Sequence, residues 1–499
     1  MIVRPRVRML RYASKLAAPQ PPYTGFPVSL RNLPVSDTRT LQRRVLAATS
    51  ISYIVVILDT SIVNVALGSI ADALATSTEG LQWVVNAYTL SFASLLLTGG
   101  ALGDRLGAKQ VYFAGLAVFT LASALCGVAP DLAALIGARA LQGIGASMLV
   151  PCSLMLINRA YSDPGERGRA IGLWAACGGA AMAGGPLIGG ILIHAFGWRS
   201  IFLANLPIGL IGLWLTSRVT STDRANRVDP TPAKRPLDLA GQATAILALG
   251  TLIAVLIEGH SFGWRSPWIS SGIALSVLAA GSFIAIESKR SQPMLPLSLF
   301  SNLIFSSAAF VSMISAMTFY GLIFTLSLYF QQVRAYSPLL TGLAFLPLTA
   351  LVTAGSMSAA WFVRISGPRR PILIALGIYT MGFLAMLMST DTSPYWLVAL
   401  PMPAIGFFAG LITPLATRSL MDTVDKSRAG IAAGVLNSAR QTGAALGVAI
   451  FGAMLTTPGQ FERGMHTAMA MAAAVSLTAA LLWWFASKAM ARERIGQAV

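Results

Sequence analysis

Hydrophobic positions are grouped in long apolar blocks after residue 45, and short polar segments separate the blocks. Each block has about the 17–25 residues that a helix needs to cross a bilayer, or is longer, as a tilted helix would be. Backbone groups find no water in the hydrocarbon core, so each block is predicted to be a helix. The predicted spans are 46–68, 82–102, 111–129, 132–157, 168–193, 200–218, 238–258, 267–287, 304–330, 338–363, 371–389, 394–417, 429–455 and 467–487. The pattern predicts an all-α polytopic membrane protein with fourteen transmembrane helices.

The first and last six spans form an internal repeat. Gly143 stands eight residues before Pro151 in the fourth span, and Gly406 stands eight residues before Pro414 in the twelfth. Parallel repeats of this kind occur in transporters. The predicted domains are a basic cytoplasmic tail (1–45), a first six-helix half (46–218), a cytoplasmic linker (219–237), two inserted helices (238–288), a cytoplasmic loop (289–303), a second six-helix half (304–487) and a cytoplasmic tail (488–499).

The charge distribution predicts the orientation of the spans. The chain is 55% hydrophobic and 11% charged, with a net charge of +18. If both termini are cytoplasmic, the inside segments hold thirty of the thirty-six Lys and Arg residues and the outside loops hold four. Basic residues concentrate in cytoplasmic loops, so this asymmetry accounts for the charge without a nucleic-acid partner. We expect a multi-pass protein of the cell's inner (cytoplasmic) membrane with both termini cytoplasmic.

Two charged residues inside the spans suggest proton chemistry. Asp59 is the one acidic residue of eighteen that lies deep in a predicted span. A charge at this depth is unfavourable, so we expect it to face a wet cavity and to have a partner. Burial favours the protonated carboxyl, as a reversible proton carrier requires, and the fixed charge of Arg139 would favour the ionised form. Two structural alternatives remain open: a packing hydrogen bond for Asp59, and an Arg139 side chain that extends to the outer headgroups.

The stretch GGAAMAGGPLIGG in the fifth span is predicted to be a close-packed seam that can bend. Glycine allows another helix to approach backbone to backbone, and an internal proline removes one hydrogen bond. Ordinary small-residue packing without a mechanism is the alternative. The residues concerned are Gly178, Gly184, Gly185, Pro186, Gly189 and Gly190.

Absent motifs narrow the class of protein. The three histidines lie outside the predicted spans, no Gly-Lys dipeptide provides a P-loop, and neither HExxH nor GxSxG occurs. We therefore expect no catalytic residues, no metal and no cofactor, with a proton gradient as the energy source rather than an enzymatic reaction.

Five further stretches carry a resemblance to a known family: LDTSIVNVAL (58–67), GALGDRLGAKQ (100–110), ARALQGIGAS (138–147), GWRSIFLANLPIG (197–209) and NSARQTGAALG (437–447). With the glycine-rich stretch, they resemble the fourteen-span drug:proton antiporter branch of the major facilitator superfamily. The resemblance implies two six-helix halves plus two inserted helices. The sequence departs from the branch at Gly68, where proline is common, and in VRISGPRRP, which lacks the acid of the signature loop.

The resemblance also implies roles for particular residues. It makes Arg139 part of proton coupling, and it associates the glycine-rich stretch with exporters. The loop after the second span would be a cytoplasmic gating latch formed by Gly103, Asp104, Arg105, Gly107 and Lys109. We expect spans one, two, four and five and their repeat counterparts to line the substrate cavity. The candidate cavity residues are Asn64, Trp83, Asn86, Tyr88, Gln142, Arg440 and Gln441.

The sequence thus predicts proton-coupled efflux of small amphipathic compounds by alternating access, as in multidrug antiporters. An uptake symporter or facilitator on the same fold and a non-transporting membrane sensor are the alternatives. The expected partners are a small-molecule substrate and the lipid bilayer, and we expect a monomer. The sequence leaves open whether a periplasmic adaptor binds.

Overall fold

The computed structural model describes residues 35–219, 238–290, 293–367, 369–425, 428–456 and 459–496. Most of the predicted basic tail and linker, and the end of the predicted C-terminal tail, lie outside these residues. The chain divides into two units, 1–40 and 41–499. Of the first unit, only the helical residues 35–40 are described, and the packing below concerns the second.

The described residues form α-helices and contain no strand. The first half comprises α1 (Val35–Leu74), α2 (Thr78–Leu106), α3 (Ala108–Gly127), α4 (Leu132–Ala160), α5 (Pro164–Phe196), α6 (Ser200–Leu203) and α7 (Asn205–Ser217). The inserted helices are α8 (Leu239–Phe262) and α9 (Pro267–Lys289). The second half comprises α10 (Leu303–Leu328), α11 (Pro338–Ala344), α12 (Leu346–Ser366), α13 (Arg370–Met386), α14 (Tyr395–Ala399), α15 (Met402–Met421), α16 (Ala429–Leu455) and α17 (Phe461–Gly496). A 3₁₀ turn at Leu297–Ser301 precedes α10 and a π turn at Tyr329–Val333 follows it.

Three predicted spans are each built from two helices, and a proline follows each break. A proline has no N–H for the carbonyl four residues before it. The helix breaks fall at Ala204, Phe345 and Leu400, shortly before Pro207, Pro347 and Pro401. In contrast, Pro151, Pro186 and Pro414 lie inside unbroken helices. A proline therefore does not by itself reveal where a span breaks.

Twelve described helical segments are long and apolar enough to cross a membrane. The remaining two predicted spans correspond to α13 and α16. Helix α13 is a shorter apolar helix, and α16 carries the polar run NSARQ at 437–441. The chain is thus a polytopic helical membrane protein. The number of fourteen membrane spans stays a prediction.

Helix α1 begins before the first predicted span. Residues 35–45, predicted as tail, are helical because α1 continues beyond the apolar block. The Gln42 side chain donates to the Ala160 carbonyl at 3.3 Å, and the Tyr161 hydroxyl donates to the Gln42 carbonyl at 3.1 Å. These bonds give the polar start of α1 partners on the end of α4.

The two halves pack in corresponding ways. A Cβ at Gly143 in α4 would meet the Tyr88 carbonyl of α2, and a Cβ at Gly406 in α15 would meet the Leu348 carbonyl of α12. Only glycine allows such an approach of two backbones. The halves contact each other through α2 with α16 and through α5 with α11 and α12. The inserted pair α8 and α9 packs against α2 and α16 through α8.

Candidate functional site

Asp59 and Arg139 form a buried ion pair between α1 and α4. The Arg139 Nη1 donates to Asp59 Oδ2 at 2.5 Å. Asp59 is 0% exposed and Arg139 is 1% exposed. The structure therefore brings together the two residues that the sequence singles out for proton coupling, while their role in coupling stays a prediction.

Amide and hydroxyl groups from three further positions complete the network around Asp59. Gln142 Nε2, one turn beyond Arg139, donates to Asp59 Oδ1 at 2.8 Å, and Asn205 Nδ2 of α7 donates to the same oxygen at 3.2 Å. Gln142 Nε2 also donates to Ser123 Oγ of α3 at 2.9 Å. The carboxylate thus accepts three hydrogen bonds from two other helices. Charged acceptors in a low-dielectric interior need such donors to remain ionised.

Arg139 is held by the first half alone. Its Nε donates to the Val84 carbonyl at 3.1 Å, and its Nη1 also donates to Gln142 Oε1 at 2.7 Å. The guanidinium lies 4.4 Å from the centre of the Tyr88 ring and 5.8 Å from that of Phe202. Cation–π contacts stabilise a desolvated guanidinium.

One expectation and one alternative for this pair differ from the structure. Asp59 does not face a wet cavity, because helices and donor groups enclose it completely. Arg139 does not extend to the headgroups either, because its charge is compensated inside the bundle. Asn205 and Ser123 were missed by sequence reasoning, although both are polar residues within apolar spans and Asn205 lies in the family-like stretch 197–209.

Helix α5 lies in a seam between α1 and the second half. A Cβ at Gly178 would meet Tyr53, and one at Gly185 would meet the Ser61 hydroxyl. A Cβ at Gly189 would lie 2.5 Å from Ile62 Cγ1, and one at Gly190 would lie 2.7 Å from the Pro338 carbonyl of α11.

The remaining members of the glycine-rich stretch lie differently. A Cβ at Gly184 would contact Ile188 of α5 itself, at 3.4 Å. Pro186 lies inside α5, where a Cβ at Gly342 of α11 would meet its carbonyl. Helix α5 thus approaches both α1 and α11 closely.

Polar contacts join the halves near one end of the bundle. We call the end where α1 finishes and α2 begins the predicted outer end. There the Gln331 side chain accepts from the Gly68 N–H at 2.8 Å and donates to the Asn64 carbonyl at 3.3 Å, and Ser327 also donates to that carbonyl. Gln82 Nε2 of α2 donates to the carbonyls of Val448 and Ala449 of α16 at 3.0 and 2.8 Å. These bonds connect the two halves near the predicted outer end.

Four predicted cavity residues therefore have other surroundings. Gln142 and Tyr88 belong to the Asp59 network. Asn64 belongs to the outer contact, and its side chain donates to the Thr60 carbonyl at 3.0 Å. Trp83 Nε1 donates to Glu258 Oε1 of α8 at 2.8 Å.

Glu258 is an acidic residue at the end of the seventh predicted span. In the structure it lies within α8 and is half-buried. The Trp83 contact explains how a carboxylate is accommodated there.

The other three predicted cavity residues lie on α2 and α16. Asn86 is 0% exposed, and neither its Oδ1 nor its Nδ2 has a hydrogen-bond partner among the described residues. Arg440 and Gln441 are half-buried on α16. Arg440 is close enough to Tyr53 of α1 and Tyr320 of α10 for its charge to act on both hydroxyls.

The predicted gating loop is shorter than expected. Gly103, Asp104 and Arg105 belong to the last turns of α2, and Lys109 lies in the first turn of α3. Gly107 alone separates the helices, with φ +100°, a conformation that favours glycine. The Lys109 ammonium donates to the Val219 carbonyl after α7. This turn is thus tied to the end of the first half.

Comparisons with known proteins assign the family. The family model "Major Facilitator Superfamily" matches residues 49–448. The chain is 38% identical over 447 residues to "Methylenomycin A resistance protein" of Bacillus subtilis (strain 168), covering 88% of this chain and 94% of that protein. It is 35% identical over 411 residues to "Multidrug resistance protein Stp" of Mycobacterium tuberculosis (strain CDC 1551 / Oshkosh), covering 82% of this chain and 75% of that protein.

A solved structure supports the fold. The crystal structure of the human organic anion transporter MFSD10 (TETRAN) superposes with a TM-score of 0.60 at 16% identity, covering 89% of this chain and 99% of that chain. Family and fold together describe a polytopic membrane transporter rather than an enzyme. The chain belongs to the Major Facilitator Superfamily.

Proposed function

We propose that the protein exports small amphipathic compounds from the cytoplasm in exchange for protons. It would be a fourteen-span member of the drug:proton antiporter branch in the cytoplasmic membrane, with both termini cytoplasmic. The family supports transport, and the relatives named for drug resistance support efflux of foreign compounds. No cofactor is needed, because the proton gradient supplies the energy.

The single observation that carries proton coupling is the enclosed Asp59 network. A carboxylate inside a membrane protein is a default candidate for proton transfer. The guanidinium of Arg139 lies 2.5 Å from the Asp59 carboxylate, so Asp59 can take up a proton while Arg139 remains charged. Protonation of Asp59 would weaken the bond to Arg139 and change which contacts hold α1 to α4.

The contacts between the halves support alternating access. The α2–α16 and α5–α11 contacts join the halves, and the bonds of Gln82 and Gln331 connect the halves near the predicted outer end. Opening that end requires these contacts to separate, while the glycines of α5 allow the helices to slide closely past one another. Export then needs only that the two halves rock about a central site.

Dye accumulation in cells with and without the protein tests this function. We expect cells that produce the protein to accumulate less of several dyes, and we expect a protonophore to abolish the difference. Cells with the empty vector are the control. Higher accumulation in producing cells would indicate uptake instead, and an export that persists with the protonophore would contradict proton coupling.

A further inference from the structure

Arg440, like Arg139, lies inside a predicted span, but its surroundings differ from those of Arg139. It lies in α16, is half-buried, and forms no hydrogen bond or ion pair with any residue that the structure describes. A guanidinium keeps its charge at every physiological pH. A charge within a membrane-spanning helix is unfavourable unless an opposite charge or polar group compensates it. Arg440 is therefore suited to bind an anion that the chain itself does not supply.

Aromatic hydroxyl groups from both halves lie near Arg440. The Arg440 guanidinium is near enough to Tyr53 of α1 and to Tyr320 of α10 for its charge to act on both hydroxyl groups. Both tyrosines are half-buried. Helices α1, α10 and α16 thus bring one guanidinium and two hydroxyl groups into one region between the halves.

The same region offers an apolar stacking surface. Tyr53 stacks on Trp174 of α5, with ring centroids 3.8 Å apart and an angle of 18° between the planes. Trp174 is 7% exposed, and its Nε1 has no hydrogen-bond partner among the described residues. An indole N–H can only donate. The buried polar group without a partner here is therefore a donor, as an anionic or carbonyl-bearing ligand would require.

The deep carboxylate of the chain is not available to Arg440. Asp59 is already bound by Arg139, Gln142 and Asn205. A cationic ligand in this region would meet a positive guanidinium and no described carboxylate partner of Arg440. The electrostatics of this region therefore favour anions over cations.

We propose that Arg440, Tyr53, Trp174 and Tyr320 bind an amphipathic organic anion. The acid group of the ligand pairs with the Arg440 guanidinium, which presents several N–H donors suited to a carboxylate. The apolar body of the ligand lies against the stacked Tyr53 and Trp174 rings. This inference rests on the proposed transport function for its meaning as a substrate site, and it names the substrate class of that function.

A binding assay with matched probes tests the proposal on the purified, full-length protein in detergent without any gradient. The probes are radiolabelled 1-naphthylacetate, its methyl ester and 1-naphthylmethylamine, which share an aromatic body but are anionic, neutral and cationic. We expect the acid to bind at least tenfold more tightly than the ester, because charge-assisted hydrogen bonds contribute more than neutral ones. The amine should bind most weakly.

Variants then assign the preference to Arg440. In Arg440→Gln the acid should bind roughly 10- to 100-fold more weakly while ester binding changes little. Arg440→Lys, which keeps the charge, should retain most of the preference. Arg418→Gln is the matched control, because Arg418 is 57% exposed and its pairing with Asp422 is a long 3.9 Å. It should leave acid binding unchanged.

The outcomes separate this proposal from the proposed function. Equal binding of acid and ester by the native protein, or unchanged acid binding in Arg440→Gln, would overturn the anion site even if dye export is proton-driven. Acid binding that depends on Arg440, together with dye export that ignores the protonophore, would support the anion site and refute the proton coupling. Retained ester binding in Arg440→Gln shows that this variant is folded.

Discussion

Replacing Asp59 with asparagine removes the titratable group at nearly constant size. Asp59 Oδ2 accepts from Arg139, and Oδ1 accepts from Gln142 and Asn205. The asparagine Nδ2 is a donor. In either orientation of the new amide, this donor faces at least one of the existing donors, so the substitution loses at least one hydrogen bond as well as the charge.

The stability effect can be bounded from the contacts that remain. Removing one partner of a buried ion pair destabilises a protein by about 3–5 kcal/mol, because the other charge stays buried. In Asp59→Asn, Arg139 keeps its bonds to the Val84 carbonyl and Gln142 Oε1 and its contact with the Tyr88 ring. We therefore expect a loss of about 3 kcal/mol in the free energy of unfolding, at the lower end of that range.

The transport effect should be specific to coupling. We expect Asp59→Asn to lose substrate accumulation driven by an imposed pH gradient in proteoliposomes. It should retain counterflow, the exchange of labelled for unlabelled substrate, because counterflow needs no net proton movement. Both measurements use the same vesicles, so a difference between them does not reflect the amount of protein.

The double variant Asp59→Asn/Arg139→Gln is the control for stability. It removes both charges, so it should recover much of the lost free energy of unfolding. It should still fail to use the pH gradient. Gradient-driven accumulation by Asp59→Asn would refute the assignment of the proton to Asp59, and recovery of coupling in the double variant would show that the defect was one of folding.

Three further predictions concern the same machinery. Arg139→Gln should weaken substrate accumulation driven by an imposed pH gradient, because it removes the counter-charge of Asp59. Unchanged accumulation in proteoliposomes would show that Asp59 works without Arg139. Gly185→Leu should block transport, because the leucine side chain must displace Ser61. Gly184→Leu should transport normally, because position 184 faces only its own helix. Efflux and the amount of protein in the membrane are measured for both variants. Reporter fusions in the linker after the sixth predicted span and at the C-terminus should both report a cytoplasmic location, and a periplasmic signal from either contradicts the predicted topology.

The sequence predicted that Arg139 acts on Asp59, and their similar depths in the predicted spans allowed a contact without requiring one. Charges inside spans are rare because they are unfavourable in lipid, so two opposite ones at similar depth have few other partners. The all-helical fold was predictable for a similar reason, because an apolar segment that crosses lipid must satisfy its backbone hydrogen bonds internally, as a helix does. These features follow from the solvent rather than from the details of packing.

The direction of polar side chains within the bundle was not predictable in this way. Gln142 and Tyr88 were expected in a cavity, yet both contact the Asp59 network, and Trp83 turns to Glu258 on α8. A helical residue can face any of several neighbours, and the choice depends on how α8 packs against α2. That packing is set by tertiary contacts, which one sequence read without its structure does not reveal.

Helix α1 connects the two proposed sites, because it carries both Tyr53 and Asp59. They are six residues apart, or roughly 9 Å along the axis. Tyr88 is also near enough to Asp59, Arg139 and Tyr320 to interact with all three. A change at Asp59 can therefore reach the aromatic groups near Arg440 either through the electric field or through movement of α1.

The electric field and the movement of α1 would change the affinity for an anion in opposite directions. Protonation of Asp59 leaves the positive charge of Arg139 uncompensated, so the electric field of Arg139 alone would strengthen anion binding. For unit charges about 10 Å apart at an effective dielectric constant of about 20, the gain is on the order of 1–2 kcal/mol. Antiport requires the proton and the anion to exclude each other, so the coupling must act mainly through α1. We therefore expect Asp59→Asn, whose side chain is neutral like a protonated carboxyl, to bind 1-naphthylacetate more weakly than the native protein does. Tighter binding by Asp59→Asn would mean that the electric field dominates and that proton and anion travel together.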